Sequence, residues 1–478
     1  MKGNVYIFLS LILGGVLNFL TISVYSRYFT PEEYGYYSII LSIILLTLGF
    51  VFSWVDLSSM RFYTSESEKD NEQTNTVTNF FIIYTSLSLL IFITMNLVYS
   101  FTNLIPFSLL LWQIIILAIV SEVIFIAVNT YIRLIKNKLN LYALFLIIRT
   151  TTAFLVGWYL VYNKFSYQGA VIASLISFTV PLLFLIFKSK IWKNISFSYT
   201  NINTIKEIAQ FGIPLVFVMV IQSAINATDR FLLAGVMGVD IAGQYSVSQD
   251  LVNKLFIFLA LIINKVTYPL IIKAYDNFGE SAAIKQLNIN ITLLLGVSIP
   301  ALLVMMFYPA NLINVLIGQD FRETSIQLMP YQVSIALINC MTMFYIILPF
   351  HIKKKTKQLI LPSLVGLLSN LIVGWLCIKY MGIYGALLGS FVAYSLYFLI
   401  AFKVGCTFFK LPFPSLNIFK ITLASTVMCL SLIVFAGQSS LGMLILFVAS
   451  GACIYSLMII ILNVSNIRNM LFKKLKRN

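Results

Sequence analysis

The chain has 478 residues, of which 60% are apolar and only 10% charged, and its formal net charge is +16. A soluble domain carries about 25% charged residues, and no soluble core could hide this much apolar surface, so a water-soluble fold is excluded and the bilayer is the solvent. No polar linker is long enough to separate soluble domains.

A helix needs about 20 mainly apolar residues to cross hydrocarbon, because a backbone group left unpaired there costs several kcal/mol. Fourteen stretches have that length: 4–28, 36–60, 77–101, 107–132, 141–163, 168–187, 207–236, 242–270, 286–308, 325–350, 358–379, 383–405, 417–436 and 441–463. They predict an all-α polytopic membrane protein with fourteen transmembrane helices. The first stretch follows Met1 and Lys2, exceeds 20 residues and lacks a small-residue cleavage site, so it is expected to be a retained helix and not a signal peptide. Thr30-Pro31-Glu32-Glu33, the polar run 64–78 and Ile105-Pro106 make the early breaks, and the longest outer loop is expected at about 309–323. Pro181, Pro214, Pro300 and Pro349 lie inside stretches and mark bending points. Cys340, Cys377, Cys406, Cys429 and Cys453 fall in or beside apolar runs with no Cys-x-x-Cys spacing and read as packing thiols.

Basic loops stay cytoplasmic. With the N-terminus inside, 24 Lys and Arg residues fall on the inner side, among them Arg61, Arg133, Lys138, Lys353, Lys354, Lys355, Lys357 and the tail from Arg468 to Arg477, against four outside: Arg27, Lys164, Arg322 and Lys379. Both termini are therefore expected in the cytoplasm of a cell bounded by this membrane. The positive charge sits where anionic headgroups attract it, which removes the reason to expect a nucleic-acid partner.

The chain also repeats. Ile135-Lys136-Asn137-Lys138 precedes Gly157-Trp158 as Ile352-Lys353-Lys354-Lys355 precedes Gly374-Trp375, at an offset of 217 residues. Gly169-Ala170 recurs as Gly385-Ala386, Gly35-Tyr36-Tyr37-Ser38 as Gly243-Gln244-Tyr245-Ser246, and Arg27-Tyr28-Phe29 as Arg230-Phe231-Leu232. The first six stretches thus match the next six. Six is even, so both halves cross in the same direction about an axis along the membrane normal, an arrangement that puts a cleft on the axis and exposes it to one side at a time when the lobes rock. The expected division is a six-helix lobe at 1–190, a cytoplasmic linker at 191–206, a second six-helix lobe at 207–410, and an appendix of two helices with a basic tail at 411–478.

The segment Ser26-Arg27-Tyr28-Phe29-Thr30-Pro31-Glu32-Glu33-Tyr34-Gly35-Tyr36-Tyr37-Ser38 resembles the first outer turn of the polysaccharide transporters, the Wzx-type oligosaccharide flippases of the multidrug/oligosaccharidyl-lipid/polysaccharide superfamily, and Arg61-Phe62-Tyr63 resembles the end of their second helix. The resemblance implies a multi-pass protein of the bacterial plasma (inner) membrane that exports undecaprenyl-diphosphate-linked repeat units for O-antigen, capsule or related glycans. It implies membrane lipids and a lipid-linked oligosaccharide as partners, with a glycan polymerase and chain-length machinery beside them. The turn also has a packing account: Thr30 can cap a helix that begins at Pro31, and Glu32 and Glu33 suit its first turn.

Charges inside spans are costly and face a bundle interior or water. An anionic diphosphate needs cationic donors, for which Arg149, Lys254, Arg230 and Arg27 are the candidates. Local neutralisation competes with that role, since Asp250 and Lys254 are four apart on one helix and Asp229 adjoins Arg230. Glu122 and Asp250 are the candidates for ion coupling. A multidrug antiporter or a lipid II flippase of the same superfamily is the nearest alternative. A glycan polymerase or glycosyltransferase is more distant, because no phosphate loop, nucleophile constellation or metal cluster stands out, and no cofactor or catalytic residue is expected. The topology is testable: reporters placed after Asn478 and within 353–357 should be cytoplasmic and one at Asp320 external, and an external C-terminal reporter would overturn the fourteen-helix reading.

Overall fold

Backbone amides shielded from water must pair within their own segment, and among the described residues the computed structural model contains helices and turns and no strand. It describes residues 2–56, 58–59, 70–101, 106–134, 138–189, 191, 195, 200–435, 437 and 440–464. The long helices are α1 (Lys2–Tyr28), α2 (Pro31–Thr47, continued by a π turn to Asp56), α3 (Asp70–Phe101), α4 (Leu109–Leu134), α5 (Leu139–Tyr162), α6 (Ser166–Ser189) and α7 (Ile202–Val236). They continue with α8 (Val239–Phe278), α9 (Glu280–Phe307), α10 (Gln319–Met341), α11 (Ile360–Met381), α12 (Ile383–Cys406), α13 (Ser415–Ser431) and α14 (Leu441–Ile461). Thirteen are long and apolar enough to cross a membrane over their described side chains. The other is α7, 35 residues long, whose side chains at 211 and 214–219, Pro214 included, lie outside the described residues. The Arg61-Phe62-Tyr63 segment, residues 192–194 and 196–199 of the expected 191–206 linker and the tail beyond 464 also lie outside them.

Elements depart from the sequence expectation where local chemistry adds a turn. The second stretch starts five residues early, at Pro31, because Thr30 and Glu33 form a reciprocal capping box: the Glu33 amide donates to Thr30 Oγ1 at 3.3 Å and the Thr30 amide to Glu33 Oε2 at 2.9 Å. The loop expected at 309–323 is instead a short helix, Pro309–Leu316, followed by the first turn of α10. Proline at its first position has the right φ and lacks only an amide that would go unpaired there. The bend expected at Pro349 is preceded by a π turn at Thr342–Ile346, and a second π turn, Leu48–Phe52, interrupts α2. Pro181 and Pro300 lie inside α6 and α9, joined by Pro269 in α8 and Pro330 in α10.

The chain forms two compact units, Met1–Phe231 and Leu232–Asn478. In the first, α4 is the central post: Ile115, Ile116, Ile119, Val123 and Val128 are buried against Phe80 of α3, Val171 and Phe178 of α6 and Ile40 of α2. Its outer sides keep large apolar residues exposed, such as Leu89 and Leu90 on α3 and Phe184 and Phe187 on α6, which is how a surface solvated by acyl chains should look. In the second unit α13 and α14 dock on α9 through Met428, Leu432 and Phe447 and through two tyrosine hydroxyls: Tyr308 donates to the Cys429 carbonyl at 2.7 Å and Tyr455 to the Gly296 carbonyl at 2.5 Å. Hydrogen bonds of this kind hold helices together where lipid removes the hydrophobic drive.

The repeated glycines have a packing cause. Each lies where the second helix of a hairpin, α5–α6 or α11–α12, crosses the first. A Cβ at Gly169 would lie 3.0 Å from Leu160 Cβ, and one at Gly385 would lie 2.2 Å from the Cys377 carbonyl carbon. The α5–α6 turn closes as a Schellman motif, Phe165 N to Leu160 O at 3.1 Å and Lys164 N to Val161 O at 3.0 Å. Lys164 and Ser166 take left-handed φ values of 65° and 53°, which costs a non-glycine residue about 1 kcal/mol each. Because backbone stands against Gly385, Gly385→Val should destabilise the protein by about 3 kcal/mol or more, whereas Gly442→Ala, with nothing within 4 Å, should be neutral or stabilising by up to about 1 kcal/mol. Thermal unfolding in detergent compares the two.

Candidate functional site

Helix periodicity decides which charges share a face, and three adjoining helices of the first unit bring two of the predicted charges together. Glu122 and Phe125 lie one turn apart on α4, Arg149 lies on α5 and Phe178 on α6. The Arg149 guanidinium carbon sits 4.3 Å from the centroid of the Phe178 ring, and Phe178 in turn meets Phe125 edge to face at 5.8 Å. Glu122 is the charge that acts on Arg149, without an ion pair between them among the described residues. The guanidinium lies over the π face of the ring, a contact that strengthens as water is excluded, and the Arg149 Nε is buried with no hydrogen-bond partner. A planar guanidinium, half-buried beside a carboxylate, has the donor geometry that suits a bidentate oxyanion.

The other predicted charges separate from this centre. Arg230, 8% exposed, donates from Nη1 to the Ser38 carbonyl at 3.3 Å, so α7 is tied to the tyrosine-rich segment of α2 by the residue expected to hold substrate. Arg27 is exposed at the end of α1 and lines a cavity with Lys164. Asp250 is buried and Lys254 half-buried one turn apart on α8, and both are engaged with neighbours. They lie one turn beyond a polar cluster in which Gln249 Nε2 donates to the Tyr245 hydroxyl and Gln332 Nε2 to the Tyr245 carbonyl, each at 3.2 Å, joining α8 to α10.

A second charge pair in the first unit escaped sequence reasoning. Thr130 Oγ1 donates to Asp56 Oδ1 at 3.3 Å, Arg133 is the cation acting on Asp56, and the Arg133 guanidinium lies 5.3 Å from the Tyr142 centroid. Arg133 stands at the end of α4 and reads as one more basic loop residue until α2 is placed against it. Phe178 likewise carries no signal, being one of 39 phenylalanines.

A family model described as polysaccharide biosynthesis protein matches residues 24–326, more than half of the chain. The chain belongs to that family. The match covers the capped turn at Thr30, the Glu122–Arg149–Phe178 centre and the Asp250–Lys254 helix. No curated protein sequence matches it. Among solved structures, it resembles the lipid II flippase MurJ in an inward closed conformation, with a TM-score of 0.76 and 17% identity over 98% of this chain and 99% of that one. An inward-facing multidrug resistance MATE family transporter of the MOP superfamily gives 0.69 and 13% over 82% of this chain and 94% of that one. An outward-facing MATE gives 0.62 and 13% over 85% and 95%. The family member therefore has the MOP-superfamily fold, as its first turn suggested.

Proposed function

We propose that the protein flips an undecaprenyl-diphosphate-linked oligosaccharide across the bacterial plasma membrane, for O-antigen, capsule or exopolysaccharide synthesis, with both termini cytoplasmic. Two six-helix lobes, 1–190 and 207–410, joined by 191–206 and followed by 411–478, rock about the substrate in alternating access. The observation that carries this reading is Arg149: a cation in the body of a span, clamped to Phe178, with a buried donor that no protein group uses. An arginine at a helix centre costs roughly 2.5–3.5 kcal/mol on insertion scales, and an incoming diphosphate offsets that cost with charge-assisted hydrogen bonds. Lys254 is the complementary cation of the second lobe, and Arg27 and Arg230 have the supporting positions described above.

Glu122 supplies a coupling device. When it is ionised it competes with substrate for Arg149; when it is protonated the guanidinium is left for the diphosphate. Proton uptake at Glu122 and substrate uptake at Arg149 are then favourably linked, and release of the proton favours release of the load. Asp250 is the candidate for the same service in the second lobe. A glycan polymerase and chain-length machinery are the expected partners downstream. The second reading, a lipid II flippase, is favoured by the cover of nearly the whole chain, α13 and α14 included, in the MurJ comparison; it shares the diphosphate and differs in the sugar. Loss of the protein distinguishes them: surface glycan stops and its repeat units accumulate on the inner leaflet under the first reading, whereas lipid II accumulates under the second.

Arg149→Ala should cut export by about tenfold or more at near-normal protein levels, and Arg149→Lys should restore part of it, since the charge survives while the bidentate fork does not. Normal export by the alanine variant, or a protein missing from the membrane, would make Arg149 structural. Glu122→Gln, a permanent mimic of the protonated state, should keep substrate binding and flatten the dependence of flipping on pH in proteoliposomes. An unchanged pH profile removes Glu122 from the coupling role.

A further inference from the structure

Two turns of the first unit, the α1–α2 turn and the α5–α6 turn, border an open cavity of about 690 Å³. Arg27 enters it from one turn and Lys164 from the other. These are two of the four basic residues that the whole chain places on that face under the orientation proposed above. Tyr28 and Tyr162, 45% and 63% exposed, meet edge to face at 6.1 Å and form its apolar wall. Glu33 also lines it, but its Oε2 accepts from the Thr30 amide in the capping box. The Ser166 hydroxyl at its edge is buried and has no hydrogen-bond partner.

The helix dipole favours a cation at a helix C-terminus, as at Arg27 and Lys164. It accounts neither for an open volume between them nor for the unused hydroxyl. The second copy of the repeat supplies an internal control. At the 216-residue offset that relates Gly169 to Gly385, Ser166 corresponds to Gly382, and the two have nearly the same φ, 53° and 59°. In that copy the matching turns close on each other: a Cβ at Gly382 would lie 3.2 Å from Cε of Met237, which comes from the α7–α8 turn. The hairpin therefore closes with glycine and a methionine filling. In the first copy the same place holds a left-handed serine and a left-handed lysine beside the cavity.

We infer that these turns form an oxyanion site on the outer face of the N-terminal unit, one that takes a phosphate carried by a membrane-anchored molecule: the headgroup of an anionic phospholipid, or the diphosphate of the exported carrier as it leaves. Arg27 and Lys164 supply the charge, the Ser166 hydroxyl one directed donor, and the two tyrosines a wall for the adjoining glycerol or sugar. The site lies apart from Arg149 and adds a docking place on the release side to the function proposed above; it rests on that reading for its sidedness only.

The test uses the full chain carrying Tyr162→Cys in nanodiscs, with the rate of maleimide modification at position 162 followed by peptide mass spectrometry and the exposed native Cys406 as a monitor of folding. Phosphatidylglycerol in the disc, or inorganic pyrophosphate added to phosphatidylcholine discs, should slow modification at 162 and not at 406. Arg27→Gln with Lys164→Gln should raise the half-protecting amount by about tenfold or more, and Arg27→Lys should retain protection. Protection by phosphatidylglycerol alone identifies the lipid headgroup, and protection by pyrophosphate identifies the diphosphate. Equal rates under all conditions, or protection that survives the double neutral variant, overturns the site. Because the readout is binding, a chain that exports nothing can still pass, and one whose export depends on Arg149 can still fail.

Discussion

Hydrocarbon offers no partner to a backbone amide and none to a charge, and both halves of that constraint shape this protein. The first half leaves helices as the only way to cross, so the chain is written as long apolar runs with capped, charged or glycine-bearing ends. The second half makes each intramembrane charge a question that the neighbouring helices must answer. Arg230 is answered by the Ser38 carbonyl and Asp56 by Thr130 and Arg133. Arg149 is answered by the Phe178 ring and a neighbouring carboxylate.

Arginine suits this arrangement because its face and its edge do different work. Its guanidinium can lie over a ring such as Phe178 and still present a hydrogen-bonding fork along its edge. A lysine has no such division: an ammonium drawn toward the ring spends the same donors on it. Phe125 backs Phe178 from α4, so the helix that carries Glu122 also steadies the platform for Arg149. A shift of α4 relative to α5 and α6 would change the carboxylate's distance from the guanidinium, which is the kind of small two-state movement through which substrate and proton can affect each other.

The duplication gives each lobe a reference state inside the same chain. Where both copies keep a feature, as with Gly169 and Gly385 at the hairpin crossings, packing explains it. Where they differ, packing does not require the difference. The counterpart of Arg149 at the 217-residue offset is Gly366, and the counterpart of the Lys164–Ser166 turn is the Met237-filled turn at Gly382. Both departures put cations into the first copy at places where the second has none.

The sequence by itself determined the solvent, the helical class, the approximate places of the spans and the family likeness, because these depend on composition, on runs of about 20 residues and on local capping, all of which are properties of neighbours along the chain. The capping box at Thr30 and Glu33 was legible for that reason. Tertiary structure alone decided the fate of each charge. Glu122 and Arg149 are 27 positions apart, and Arg230 and Ser38 are 192 apart. No periodicity connects such residues, so three cations chosen by the same rule came to different ends: Arg149 on a phenylalanine ring, Arg230 on a carbonyl, and Arg27 at the edge of a cavity between two turns distant in sequence.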